Sequence, residues 1–170
     1  MKRPETTEFA PYYDKYISLI DDGDVIPVLR GQSAELRSIF ANVPEEKGTY
    51  AYADGKWTLK ESLSHLIDGE RIFSYRILRI SRGDETPIEG FEQDGYIENS
   101  NANNRSFGEL LDEFDLQRRS NLLLLQNLDD AGSRRMGTAS ENPISVRALT
   151  YIMAGHVRHH VGILNERYLA

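Results

Sequence analysis

Apolar residues recur three and four positions apart in four long stretches, the spacing that gathers them on one face of an α-helix. The first stretch, residues 24–42, carries Val25, Val28, Leu29, Leu36, Ile39 and Phe40. Asp24 stands where an N-cap belongs, Pro27 is tolerated in the first turn, and Pro44 ends the pattern. The second begins with the capping box Thr58-Leu59-Lys60-Glu61 and continues through Leu63, Leu66, Ile67, Phe73, Ile77 and Ile80 to a stop at Gly83. The third opens with another capping box, Ser106-Phe107-Gly108-Glu109, and carries Leu110, Leu111, Phe114, Leu122, Leu125 and Leu128. The fourth starts near Ser145 and places Val146, Leu149, Met153, Val157, Ile163, Leu164 and Tyr168 on one stripe. An aromatic segment, Tyr12, Tyr13, Tyr16, Ile17 and Ile20, predicts a separate helical turn packed across one end. No stretch reads as a strand.

The connections are unequal. Residues 43–57 form a loop with Gly48 and Gly55, and residues 129–144 a polar one of similar length. Residues 83–105 are polar and rich in Gly, Asn and Asp, and exceed the about 12–15 residues usual for a structureless loop. A connection of that length is expected to be functional or to cross the bundle. The pattern predicts an all-α protein, a four-helix bundle forming one domain over residues 1–170, with a long crossover between the second and third helices.

Composition narrows the function. The chain has no cysteine, which removes disulfides, thiolate metal sites and thiol nucleophiles. A net charge of −7 and scattered basic residues argue against nucleic acid as a partner. The N-terminus lacks the apolar run of a signal peptide, and no segment approaches the about 18 apolar residues of a membrane span. A cytoplasmic protein acting on a small molecule, without membrane attachment, is the expectation.

Candidate chemistry lies in the histidines, of which there are four. Three fall in His156-Val157-Arg158-His159-His160. His156 and His160 are one helical turn apart and lie inside the apolar stripe of the fourth helix, beside Met153 and Leu164. Two imidazoles pointing into a core are either hydrogen-bonded or coordinated, since an unsatisfied buried polar group is costly. The paired spacing favours a shared metal ion over two structural histidines. Val157 stands where a zincin would carry its glutamate, so that class is excluded. His65, on the shoulder of the second stripe, is the remaining histidine able to complete a three-imidazole site. His159 points about 60–100° away from the pair and reads as a pocket residue, a proton shuttle or a surface residue. Asp68 lies three residues after His65, where it either accepts the second ring N–H or is a solvated acid. Asp94, in the long connection, is a candidate base or substrate anchor over the site. Glu70 and Arg118 both fall within apolar stripes and are expected to form a buried ion pair.

Several segments together resemble the DinB/YfiT-like family of metalloenzymes: Trp57-Thr58, His65-Leu66-Ile67-Asp68-Gly69-Glu70-Arg71, Phe91-Glu92-Gln93-Asp94, and His156-Val157-Arg158-His159-His160. The resemblance covers nearly the whole chain. It implies a four-helix bundle holding one divalent metal, zinc or nickel, through His65, His156 and His160, in a protein that often forms homodimers. It also implies a metal-dependent enzyme: a thiol-dependent S-transferase that activates a low-molecular-weight thiol as thiolate, or a metal-dependent hydrolase. A non-catalytic, stress-related protein binding a metal or small ligand is the remaining expectation.

Overall fold

The computed structural model describes residues 1–169. Seven α-helices and one two-stranded sheet follow in order: α1 (Asp14–Ile17), α2 (Val25–Phe40), α3 (Leu59–Ser81), α4 (Gln93–Glu98), α5 (Phe107–Gln126), α6 (Asp130–Arg134), β1 (Met136–Ala139), β2 (Asn142–Ser145) and α7 (Val146–Ile163). The long helices α2, α3, α5 and α7 are the four expected from the apolar spacing. Their starts are fixed locally: the Asp24 carboxylate accepts from the Ile26 N–H, and both capping boxes are complete. Ser145 caps α7 through the Ala148 N–H. At the far end of α3 the chain leaves through Gly83 at φ +81°, a backbone conformation that favours glycine.

Side-chain pairings give the directions of the helices. Glu61 of α3 meets Asn103 just before α5, and Glu70 meets Arg118, so α3 and α5 run parallel. Arg37 pairs with Asp112 and Leu29 with Arg118, so α2 runs antiparallel to α5. Glu35 pairs with Arg158 and Gln32 with Ala154, making α2 parallel to α7. The ring order is α2–α5–α3–α7. A parallel pair joined in sequence needs the chain to travel back along a helix, about 34 Å for the length of α3. The long connection after α3 does this, and the crossover expected from its length is present.

That connection is not structureless. It contains α4 and a short 3-10 turn at Ala102–Asn104. Its Ile88 forms a parallel bridge to Ala139, donating N–H to the Thr138 carbonyl at 2.9 Å and accepting from the Ser140 N–H at 2.9 Å. The expectation of no strands is thus corrected at residues 136–145, where an antiparallel hairpin pairs Met136 with Ser145 and Ala139 with Asn142. Its sequence hides it. The strands are four residues each, and the turn is Ser140-Glu141, both at positive φ (50° and 64°), in place of the Asn-Gly that usually marks such a turn. Tertiary contact holds it: β1 lies so close to α3 that a Cβ on Gly137 would sit 2.5 Å from Ile80.

Two apolar clusters fill the bundle. One gathers Ile17, Leu29, Ile77, Ile80, Leu149 and Ile152 around the hairpin end; the other gathers Leu36, Leu63, Leu66, Phe114, Val157 and Leu164 around the opposite end. Between them a polar network joins all four long helices. Arg118 donates to both oxygens of Glu70, at 2.8 and 2.6 Å, to the Leu29 carbonyl at 2.9 Å and to Gln32 Oε1 at 2.7 Å. Asn121 also donates to Glu70 at 2.9 Å, and Gln32 Nε2 donates to the Ala154 carbonyl at 2.8 Å. The ion pair expected from the two stripes is therefore the centre of a larger network.

A candidate three-histidine metal centre

α3 and α7 run antiparallel, so the first third of α3 meets the second half of α7. This places His65 beside His156 and His160. Their ring centroids are 4.6–4.8 Å apart, and one potential ligand atom from each lies within 4.8 Å of the others. His65 Nε2 and His156 Nε2 are 2.9 Å apart, close enough for one imidazole to donate to the other. Nitrogens held tetrahedrally at zinc would be about 3.3 Å apart, given metal–nitrogen bonds of about 2.0–2.1 Å. A small opening of this pair fits an ion. No carboxylate joins the cluster among the described residues.

Burial keeps the three imidazoles in the neutral form that ligation requires. It pushes His65 down to about 4, with the nearby Asp94 charge opposing. It pushes His160 down to about 3, and His65 adds to the shift. His156, enclosed most completely, lies well below its ordinary value, by burial first and then by its histidine neighbours.

The rings are fixed by packing. Trp57 leans on His65 at 4.6 Å between centroids and lies nearly parallel to His160 at 6.4 Å. The Tyr168 hydroxyl donates to the Trp57 carbonyl, tying that loop to the end of the chain. Tyr16 and Phe73 meet His156 edge-on at 5.6 and 5.5 Å. Two helical glycines make room. A Cβ on Gly69 would stand 3.0 Å from His156 Cε1, and one on Gly155 would stand 2.1 Å from the Tyr16 carbonyl oxygen. Gly69 lets the His156 ring lie against α3; Gly155 lets the α1 backbone touch α7 and carry Tyr16 over the site. A sequence signal for both existed, since a glycine inside a helical pattern usually has a packing reason.

His65 and His156 form part of the floor of a cavity of about 480 Å³, within the size range of small-molecule sites. Its walls come from Tyr12, Tyr13 and Tyr16, from Phe73 and Arg76 of α3, from residues 90–93 of the crossover, and from Ser140 and Asn142 of the hairpin.

The chain belongs to the DinB superfamily. The model of that superfamily matches residues 29–164, a span that includes all three histidines. No curated protein matches the chain. Among solved structures, YfiT from Bacillus subtilis superposes with a TM-score of 0.76, covering 96% of this chain and 89% of its own, at 19% identity. YfiT is described as a probable metal-dependent hydrolase with an unusual four-helix bundle topology. At that identity the likeness carries the fold, and the ring order with its parallel neighbours is the topology this DinB protein displays.

The other candidate residues fall in different places. His65 is buried, not at a boundary, because α7 closes over the shoulder of its stripe. His159 is half-buried, with Tyr16 edge-on at 5.4 Å, and stays outside the cluster. Asp94 is exposed in the first turn of α4, near enough for its charge to act on His65. Asp68 lines a separate cleft with Arg71, Arg105 and Glu113, where burial raises its pKa and Arg71, 3.9 Å away, partly offsets the rise. Among the described residues no helix is long and apolar enough to cross a membrane.

Proposed function

We propose that this DinB protein is a metal-dependent enzyme acting on a small molecule, with one divalent ion held by His65, His156 and His160. The observation that carries this reading is the convergence of three imidazoles, two buried and one half-buried, with no carboxylate among them, where His65 and His156 line the floor of a cavity. A bound zinc or nickel ion would supply Lewis-acid activation of a water or a low-molecular-weight thiol at the position facing that cavity. Phe73, Tyr16 and Trp57 hold the ligand rings and keep bulk water from their outer sides. Thiol transfer is the favoured reaction, because a thiol gives up its proton readily and needs little help from a base. The acids near the site, Asp94 and Glu92, are exposed, and Glu92 is engaged in capping α4 by accepting from the Asp94 N–H. Hydrolysis is the second reading, favoured by the description of YfiT; Asp94 or His159 would then take the proton from water.

Metal analysis of untagged protein tests the first step. About one ion per chain is expected, falling to near zero in His65→Ala and His156→Ala. Retention of the ion by both variants would refute the ligand assignment. A thermal-shift screen with low-molecular-weight thiols on metal-loaded protein separates the two reactions. Thiol transfer requires at least one thiol to stabilise the protein, and that stabilisation must vanish with the metal.

A further inference from the structure

Three arginines are buried in this protein: Arg76, Arg118 and Arg147. Arg118 pairs with Glu70 and Arg147 with Glu8. Arg76, 3% exposed, has no acidic partner within ion-pair distance among the described residues. Its Nη2 donates to the Glu89 carbonyl at 3.1 Å and to Ser140 Oγ at 2.9 Å, with the Tyr13 phenol beside it. A buried guanidinium with only neutral partners is an expensive arrangement, and its planar fork matches an anion that arrives from outside.

Arg76 lines the same cavity as His65 and His156. On α3, positions 65, 69, 73 and 76 follow one face, and side chains lean toward the helix N-terminus, so Arg76 leans toward the histidines. Phe73 and Tyr16 line the same cavity and meet His156 edge-on. The hairpin turn fixes the far end: Ser140, at φ +50°, presents its hydroxyl to Arg76, and Asn142 holds the turn by donating to the Ser140 carbonyl at 2.6 Å. Strained backbone of this kind is tolerated where the surroundings require it, often at functional sites. The acid in the cavity lining is Glu92, exposed and engaged in its own helix cap.

We infer that Arg76 anchors a carboxylate on the substrate, whose apolar body lies along Phe73 and Tyr16 and whose reacting end lies at the histidines. The position of the reacting end rests on the metal-centre reading; the anion anchor does not. The substrate class is thus a small amphipathic acid, carboxylate at the hairpin end of the cavity, with the hairpin and crossover setting its length.

Two probes of equal length test this, mercaptohexanoate and mercaptohexanol, titrated into cobalt-loaded protein. Thiolate coordination is read from the cobalt absorption and affinity from calorimetry. The acid is expected to bind about 10- to 100-fold more tightly than the alcohol, the range of a hydrogen bond to a charged group. That ratio should fall to about one in Arg76→Gln, with cobalt content at the wild-type level, and recover in part in Arg76→Lys. A ratio near one in the wild-type protein overturns the inference without any variant, so poor folding of Arg76→Gln does not protect it. Failure of the metal reading appears separately, as protein that takes up no cobalt. Hexanoate against hexanol then tests the anchor alone, and equal affinity overturns it. Preference for hexyl phosphate over hexanoate would overturn the carboxylate assignment.

Discussion

Two buried polar clusters lie on the same helices of this bundle and behave in opposite ways. The Glu70–Arg118 network is closed. Its charges pair with each other, its amides fill the remaining positions, and it links α2, α3, α5 and α7. The histidine cluster is open. It joins α3 and α7, its ring nitrogens face one another, and part of it forms the floor of a cavity. A network whose charges pair internally is a structural lock; ring nitrogens that converge beside a cavity make a candidate site. Gln32, which donates to the carbonyl of Ala154 two residues before His156, shows how the lock also sets the register of the site.

The largest expected effect breaks the lock. Arg118→Met leaves the Glu70 carboxylate buried and unpaired, and should cost about 3–5 kcal/mol in urea unfolding. Replacing Glu70 with leucine as well should recover most of that loss. If the single variant is as stable as wild type, the network is not what holds the four helices in register. The open cluster should respond to metal instead. Zinc at 1,000 times its dissociation constant should stabilise the wild-type protein by about 4 kcal/mol. His156→Ala should show no such gain, and an unchanged gain in that variant would mean that the ion binds elsewhere.

Smaller effects sharpen the contrast. Gly69→Ala suits a helix but puts a methyl group 3.0 Å from the His156 ring. Metal affinity should fall about tenfold, in the lower part of the range for disturbed ligand orientation, while the fold persists. Equal affinity would show that the ring moves freely. The smallest effect is pH dependence of the metal-free protein. The unfolded histidines bind protons near pH 6.5, whereas folded His65 and His160 stay neutral down to about 4 and about 3. Their folded values are depressed, so stability is fully present above the unfolded value and is lost as pH falls toward the folded ones. From pH 7.5 to 6.5 the loss should be about 1 kcal/mol for three imidazoles. Chemical denaturation across that range checks it, and a slope no smaller in His65→Ala would remove the histidines as its source.

The four helices, their capping residues and the Glu70–Arg118 pair were legible because each depends on local spacing. Capping acts within three residues, and an apolar stripe declares its face wherever the helix ends up. The i, i+4 histidine pair was legible for the same reason, as two groups on one turn. The meeting of that pair with His65 followed from family resemblance, and the burial of His65 could not be read from its place on the shoulder of the stripe, because its cover comes from α7. The hairpin was invisible: its strands are short, its turn lacks glycine, and its stability comes from Ile88 and Ile80, far away in sequence.

What the sequence determined by itself was therefore the set of helices and the types of side chain each one presents. Tertiary structure decided which of those side chains share a cavity. The antiparallel contact of α3 with α7 assembles the histidines, Gly155 admits the α1 backbone that carries Tyr16, and the crossover and hairpin close the wall around Arg76. These are long-range contacts, settled by how helices of known faces pack and by where the chain must travel to join parallel neighbours. Neither leaves a periodic trace in the residues themselves.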